Sequence, residues 1–385
     1  MNIALVLSQN FDPDAGGVQR TTSKLAKIYQ SKNQYVVIIS VGNHLTQKEY
    51  YDGIALYYIN FKEVNQLKNV LHDEKITCII NQVGYSVSLT KLILKNKPLQ
   101  SKLINTLRIN PLNFYDNHQN LIEELFNRKK ITFLNTLLTR KIILGYHIIK
   151  QKLELRFIVK NTDAFVLLSE KFKPELFFLV PSLKKYNHKI HGIGNPFQRP
   201  DIDLNTIQKE NIVLFVGRLN IPQKRVDLLL QIWKKLHEEF PDWRFWILGE
   251  GEEKKKMEQF CKDNQLDRIT FFGKVNPNEY YKKAKLFHMT SAFEGFGNVL
   301  IEAQSYGCLP MLFDSYAAAS DIVWHNRNGV VIQPFDVEDY VVQTKNLMNN
   351  PDKISELAIH AYENVLRFSY EETYLKWKKV FNSLK

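Results

Sequence analysis

The sequence predicts an α/β chain of two doubly wound, Rossmann-like domains facing each other across a cleft. Three observations carry this. The 385 residues exceed one ordinary core and suit two domains. A buried strand leading into a loop and then a helix occurs twice, at Ile3–Leu7 and again at Ile212–Gly217. Between these starts, short apolar runs alternate with helical stretches. Strands that are apolar along their whole length are covered on both faces, which is the condition of a parallel sheet.

In chain order, Ile3–Leu7 is the first strand, and the loop from Ser8 to Gly17 precedes a helix over Val18–Ser31. Strands follow at Tyr35–Val41, Ile54–Ile59, Cys78–Asn81, Leu103–Leu107 and Ala164–Leu168. Pro, Asp and Asn cluster from Gly194 to Asn205 and mark a join. The second half has strands at Ile212–Gly217, Arg244–Leu248, Ile269–Phe272, Leu286–Met289, Leu309–Phe313 and Gly329–Ile332. Helices fall at Val226–Phe240, at Lys254–Asn264, and from about Pro277 and Gly297. Near the end, Tyr370, Tyr374, Trp377 and Phe381 recur at helical spacing. The expected division is 1–195, 196–368, and a terminal helix over 369–385 that returns to pack on the first domain.

Composition narrows the function classes. Hydrophobic residues are 44% and charged residues 24% of the chain, as in soluble globular proteins. No apolar run approaches the roughly 18–20 residues needed to span a bilayer. The start, Met1 to Leu7, lacks a basic leader and reads as a strand and not as a signal peptide. Cys78, Cys261 and Cys308 have no metal or disulfide spacing and read as reduced core thiols of a cytoplasmic protein. The net charge of +12 favours anionic partners: phosphorylated substrates, an anionic membrane surface or nucleic acid. No nucleic-acid-binding signature is present, so nucleic acid is not an expected partner. The segment Arg128–Lys160 has one acidic residue, Glu154, among many Lys and Arg interleaved with Ile, Leu and Phe. It reads either as a peripheral contact with an anionic membrane surface or as helices with a solvated basic face.

Three stretches carry candidate chemistry. In Glu294-Gly295-Phe296-Gly297-Asn298 through Glu302, two glycines permit close backbone approach, and the helix start offers free N–H groups to phosphate or sugar oxygens. At 1.5 Å per helical residue Glu294 and Glu302 are roughly 12 Å apart along the axis, a little over two turns, suited to opposite ends of an extended ligand. In Gly217 through Asp227, Arg218 and Lys224 follow a buried strand at the sheet edge where ligands bind. Gly16-Gly17 occupies the equivalent place after the first strand. Asp12-Pro13-Asp14 and Asp201-Ile202-Asp203 read as turn chemistry and not as metal ligands, so no metal is expected.

Val216-Gly217-Arg218-Leu219 through Lys224, Ile247-Leu248-Gly249-Glu250-Gly251, Phe272-Gly273-Lys274-Val275, and Glu294-Gly295-Phe296-Gly297 through Pro310 together resemble the GT-B retaining glycosyltransferases of family 4, the glycosyl transferases group 1. Gly16-Gly17-Val18-Gln19-Arg20 and Asn195-Pro196 look like theirs too. The resemblance implies an N-terminal acceptor-side domain and a C-terminal donor domain. It implies retaining transfer from a nucleoside-diphosphate sugar to a hydroxyl acceptor, in cell-surface polysaccharide or glycolipid synthesis, with no metal or other cofactor. Arg218 and Lys224 would hold the donor diphosphate and Glu302 the ribose hydroxyls. Glu294 would be the catalytic carboxylate at the sugar, helped by the backbone of Gly295, Phe296, Gly297 and Asn298. Val275 would meet the base, and Gly17 would approach the diphosphate. The sequence departs from the family at Arg108, where a His often reaches the donor sugar, and at Asp314–Ala319, where the loop is usually glycine-rich. The alternatives are a nucleotide-sugar epimerase on the same fold and a non-catalytic anion- or membrane-binding module.

Overall fold

A computed structural model of the chain describes residues 1–8, 10–13, 16–43, 45–113, 115, 118, 122, 126 and 136–384. Asp14 of the first Asp-x-Asp triplet and 128–135 of the basic segment lie outside the described residues. The chain forms two compact units, Met1–Pro196 with Tyr370–Lys385, and Phe197–Ser369.

Among the described residues the first unit is built on eight strands: β1 (Asn2–Ser8), β2 (Tyr35–Gly42), β3 (Gln47–Tyr51), β4 (Ile54–Asn60), β5 (Cys78–Asn81), β6 (Lys102–Leu107), β7 (Ala164–Leu167) and β8 (Ile190–Gly192). Their order across the sheet is β3-β4-β2-β1-β5-β6-β7-β8. All neighbours are parallel except β3, which pairs antiparallel with β4 at the edge. Residues Ile3–Leu7 are fully buried, as a central strand covered on both faces must be. β3 lies outside the sequence expectation for a physical reason. Its residues QKEYY are almost wholly exposed and carry neither alternation nor an apolar run. β8 is only three residues long.

The helix Gly17–Ser31 packs Leu25, Ile28 and Tyr29 into this core. The helix Tyr370–Ser383 belongs to the same core. Trp377 and Phe381 meet Tyr29 ring to ring, at 6.2 and 5.7 Å between centroids. Tyr370 and Tyr374 pack partly buried beside them, so the helical stripe legible in the sequence is the packing face.

The second unit carries β9 (Glu210–Val216), β10 (Arg244–Leu248), β11 (Ile269–Gly273), β12 (Ala284–Met289), β13 (Leu309–Phe313) and β14 (Val330–Ile332). The order is β11-β10-β9-β12-β13-β14, and every paired neighbour is parallel. The strand sequence reverses between β9 and β12. Such a reversal marks the carboxyl-edge crevice where ligands bind in doubly wound sheets. Buried Phe215, Trp233, Phe245, Leu286, Phe313 and Tyr340 are part of the core beneath it.

Candidate active site

The loops at that crevice come from β9 and β12. After β9 the chain makes a tight path through Gly217 to Asn220 and a one-turn helix, Ile221–Lys224. Asn220 caps this helix, its Oδ1 accepting from the Lys224 amide at 3.1 Å. Arg225 then adopts the left-handed conformation (φ 47°) and starts the helix Val226–Leu236. Three neighbouring cations are thereby separated in role. Arg218 is exposed, and among the described residues no hydrogen bond or ion pair holds its side chain. Arg225 is committed to Asp227, with Nε–Oδ1 at 3.0 Å and Nη2–Oδ2 at 2.9 Å. Lys224 turns inward and is 8% exposed. Gly217 makes room for its stem, since a Cβ there would stand 3.2 Å from Lys224 Cε.

After β12, Thr290 Oγ1 donates to the carbonyl of Lys224 at 2.8 Å, and the Ala292 amide donates to that of Gln223 at 2.7 Å. These bonds tie the two loops and bring Glu294, 9% exposed, onto Lys224. The Lys224 Nζ–Glu294 Oε1 distance is 2.5 Å. Ser291 Oγ donates to the same oxygen at 2.8 Å, and Gln223 Nε2 reaches Oε2 at 3.4 Å. A carboxylate removed from water needs such a set of donors.

The helix that follows is Asn298–Gln304 only. Glu294 sits in the turn before it, so the axial separation of two helical turns expected between Glu294 and Glu302 does not apply. The 1.5 Å rise per residue begins at Asn298. Glu302 lies on the helix, and its Oε2 accepts from the Tyr281 hydroxyl at 3.3 Å. Phe296 is buried and meets Phe368 edge to face at 5.8 Å. Gly295 and Asn298 are half-buried, and Val275 is exposed just past β11.

Gly249 and Gly251 serve the scaffold. A Cβ on Gly249 would lie 1.8 Å from the Gly217 carbonyl oxygen, and one on Gly251 2.2 Å from that of Leu219. The Gly217 amide donates to Leu248 and the Leu219 amide to Glu250, at 3.0 and 2.9 Å. The Gly-Glu-Gly loop after β10 therefore braces the loop that carries Arg218.

Sequence reasoning assigned no role to Gln223, Ser291, Tyr281 or Tyr316. Tyr316 stands in the loop after β13, in the place of the usual glycines. Burial raises its pKa well above that of a free phenol, and Glu294 and Asp314 add to the shift. Its hydroxyl is buried and has no hydrogen-bond partner among the described residues. It lies 2.4 Å from where a Cβ on Gly297 would be, and Gly297 itself has φ 94°. Gly297→Ala is therefore expected to lower stability by about 1–3 kcal/mol through backbone strain alone. Adding Tyr316→Phe should return part of the loss by removing the oxygen that the methyl meets. Thermal unfolding of the single and double variants checks both statements.

In the first unit, Gly17 opens the helix after β1, and a Cβ on it would meet nothing within 4 Å among the described residues. Arg108 follows β6 and is 9% exposed. Its Nε and Nη2 donate to Gln82 Oε1 at 3.0 and 2.9 Å, and Nη1 donates to Asn195 Oδ1 at 3.2 Å. Burial pulls its pKa down to about 10, as expected of a cation held by neutral amides. Among the described residues, no three His, Cys, Asp or Glu side chains converge as a metal site would require.

The chain thus combines two Rossmann-like sheets, one with a buried Lys–Glu pair at its switch point. Residues 198–364 match the family described as Glycosyl transferases group 1. The match lies within the second unit, and the fold of the chain is GT-B. It is 31% identical over 179 residues to a poly(ribitol-phosphate) alpha-N-acetylglucosaminyltransferase of Staphylococcus aureus, a match covering 46% of this chain and 36% of that one. It is 24% identical over 370 residues to an uncharacterized glycosyltransferase of Haemophilus influenzae, covering 95% and 96%. An amylovoran biosynthesis glycosyltransferase of Erwinia amylovora is 28% identical over 56% of this chain and 58% of its own length. The chain thus spans about a third to three fifths of two of these relatives and nearly all of the other. Among solved structures, a TarM variant of S. aureus in complex with fondaparinux, alpha-GlcNAc-glycerol and UDP superposes with a TM-score of 0.71 at 16% identity, over 99% of this chain and all of that one. Anabaena HepE in complex with UDP and glucose gives 0.71 at 14%, over the whole of both chains. At these identities the likeness is one of fold.

Proposed function

We propose that the chain moves a sugar, with retention, from a nucleoside-diphosphate sugar to a hydroxyl acceptor in cell-surface polysaccharide or glycolipid synthesis. The observation that carries this reading is the Lys224–Glu294 pair at the β9/β12 switch point, with Arg218 exposed on the same loop. A nucleoside diphosphate leaves readily once its developing charge is neutralised, and two cations aimed at it supply that stabilisation. In the transfer, the bond from the sugar's anomeric carbon to the phosphate oxygen breaks while the acceptor oxygen bonds to that carbon from the same face. The acceptor's proton passes to the departing phosphate. Glu294, held by Lys224 and Ser291, binds sugar hydroxyls and faces the positive charge that develops on the ring. It acts as a stabiliser and not as the nucleophile. Glu302, steadied by Tyr281, takes the ribose hydroxyls. The backbone of Gly295, Phe296, Gly297, Asn298 and Val275 lines the donor.

The relatives that bind UDP support a uridine nucleotide as donor carrier. Those named for surface polymers support a glycan or lipid-linked acceptor, reached from the cytosolic membrane face. No described helix is long and apolar enough to cross a membrane.

The reading is tested by thermal shift against a panel of nucleotide sugars, followed by transfer in excess chelator. A true donor at a hundred times its dissociation constant should stabilise the unit that binds it by about 2.7 kcal/mol. Transfer should continue in the chelator, because Arg218 and Lys224 carry the diphosphate charge. Loss of turnover in chelator, restored by magnesium or manganese, would reject the metal-free part. Turnover of the donor to an epimer without any acceptor would reject transfer.

A further inference from the structure

The helix Leu137–Lys160 is the longest described helix of the first unit. Only Leu155, Ile158 and Val159 of its 24 residues are buried, all in its last two turns. Along the rest, Leu138, Ile142, Tyr146, Ile149 and Leu153 are each 61–68% exposed. At 100° per residue these five fall within an arc of about 80°, and at 1.5 Å per residue they run for about 22 Å. The exposed stripe is thus apolar, whereas the solvated face of an ordinary basic helix is not. Soluble surfaces seldom leave such a contiguous patch uncovered.

The charges say what covers it. Lys141 and Lys152 flank the stripe on one side and Lys150 on the other, while Arg156 and Lys160 continue its line toward the helix end. The one acidic residue on the helix is Glu154, set 3.9 Å from Lys150. A second copy of this chain laid against the stripe would bring these cations together. An anionic lipid surface accepts apolar side chains between its headgroups and pairs its charge with lysines at their level. Tyr146 in the middle of the stripe suits the same boundary.

We infer that the helix Leu137–Lys160 is a membrane-surface anchor. It seats Leu138, Ile142, Tyr146, Ile149 and Leu153 at the acyl boundary of an anionic leaflet, with Lys141, Lys150 and Lys152 at the headgroups. This rests on the peripheral-membrane part of the proposed function and locates it on one helix face. It is independent of the donor chemistry.

The test is sedimentation of the full chain with vesicles of phosphatidylcholine alone or with about one quarter phosphatidylglycerol, at low and at physiological salt. The expected result is ~tenfold or greater preference for the anionic vesicles, weaker at the higher salt. Ile142→Asp with Ile149→Asp should remove vesicle binding at both salts. Lys141→Gln with Lys152→Gln should remove mainly the preference for anionic lipid. The unfolding temperature of each variant alone should match that of the parent and shows that the fold is kept. Vesicle binding that survives Ile142→Asp with Ile149→Asp overturns the anchor while leaving the membrane reading standing. No vesicle binding by the parent chain overturns both. A parent that binds no vesicles but dimerises, with the Ile142→Asp/Ile149→Asp chain monomeric, overturns the lipid in favour of a second copy.

Discussion

Lys224→Ala is expected to lose stability and transfer together, and Lys224→Ala with Glu294→Ala to regain the first without the second. The two groups are nearly withdrawn from water and face each other at 2.5 Å. Taking away the ammonium leaves a buried carboxylate with only Ser291 and a long contact to Gln223. Breaking such a pair from one side costs about 3–5 kcal/mol, because the remaining charge is uncompensated. Removing both charges abolishes that penalty, so the double variant should unfold close to the parent. Turnover behaves differently. Lys224 is assigned to the leaving diphosphate and Glu294 to the sugar, so each single variant and the double should lose about 10²–10³ in kcat. Unfolding by denaturant, with steady-state rates beside it, reads both quantities. If stability does not recover in the double variant, the pair is not the electrostatic unit described here. If the double variant keeps its rate, the catalytic assignment falls while the fold stands.

The second large effect separates the two glutamates. Glu302→Ala should weaken binding of free UDP by about 1.5–3 kcal/mol, since the ribose hydroxyls lose a charged acceptor. Glu294→Gln keeps the shape and the Ser291 contact while removing the charge. It should leave UDP affinity nearly intact and lower kcat, the signature of an interaction made in the transition state. Calorimetric titration of UDP into both variants distinguishes them. The reverse pattern would exchange the roles of the two residues. No effect on binding or rate from either would remove both from the site. Tyr281→Phe adds a finer check: it frees Glu302 Oε2 from its 3.3 Å contact and should weaken UDP binding less than Glu302→Ala does.

Much of the fold was legible because a parallel sheet buried on both faces writes itself as continuous apolar runs. Ile3–Leu7, Cys78–Asn81 and Leu309–Phe313 could be read that way, and the structure places strands there. The edge strand Gln47–Tyr51 could not, since an exposed strand paired on one side needs neither apolar residues nor alternation. The site was legible in parts. Arg218, Lys224, Glu294 and Glu302 could be named from the glycines and strand ends beside them. Their arrangement was not, and a helix projected back to Glu294 gave a separation that the turn before Asn298 does not have. Tyr316 could be noticed as a departure from a glycine-rich loop, but not as a buried hydroxyl above Gly297.

By itself the sequence determined the class of fold, the order of its strands along the chain, the glycine-bearing loops and the stock of charges at their ends. These depend on local periodicity and backbone freedom, which a few neighbouring residues decide. The tertiary structure alone decided that β12 lies beside β9, so that a lysine and a glutamate 70 residues apart share one buried contact. It alone decided that Arg225 is committed to Asp227 while Arg218 stays exposed, and that Gly249 and Gly251 serve packing. It also turned Leu138, Ile142, Tyr146, Ile149 and Leu153 outward. Each of these depends on which distant surface occupies the space around a side chain, and burial, not residue type, sets whether a charge must be paired and whether an apolar stripe is a core or a contact.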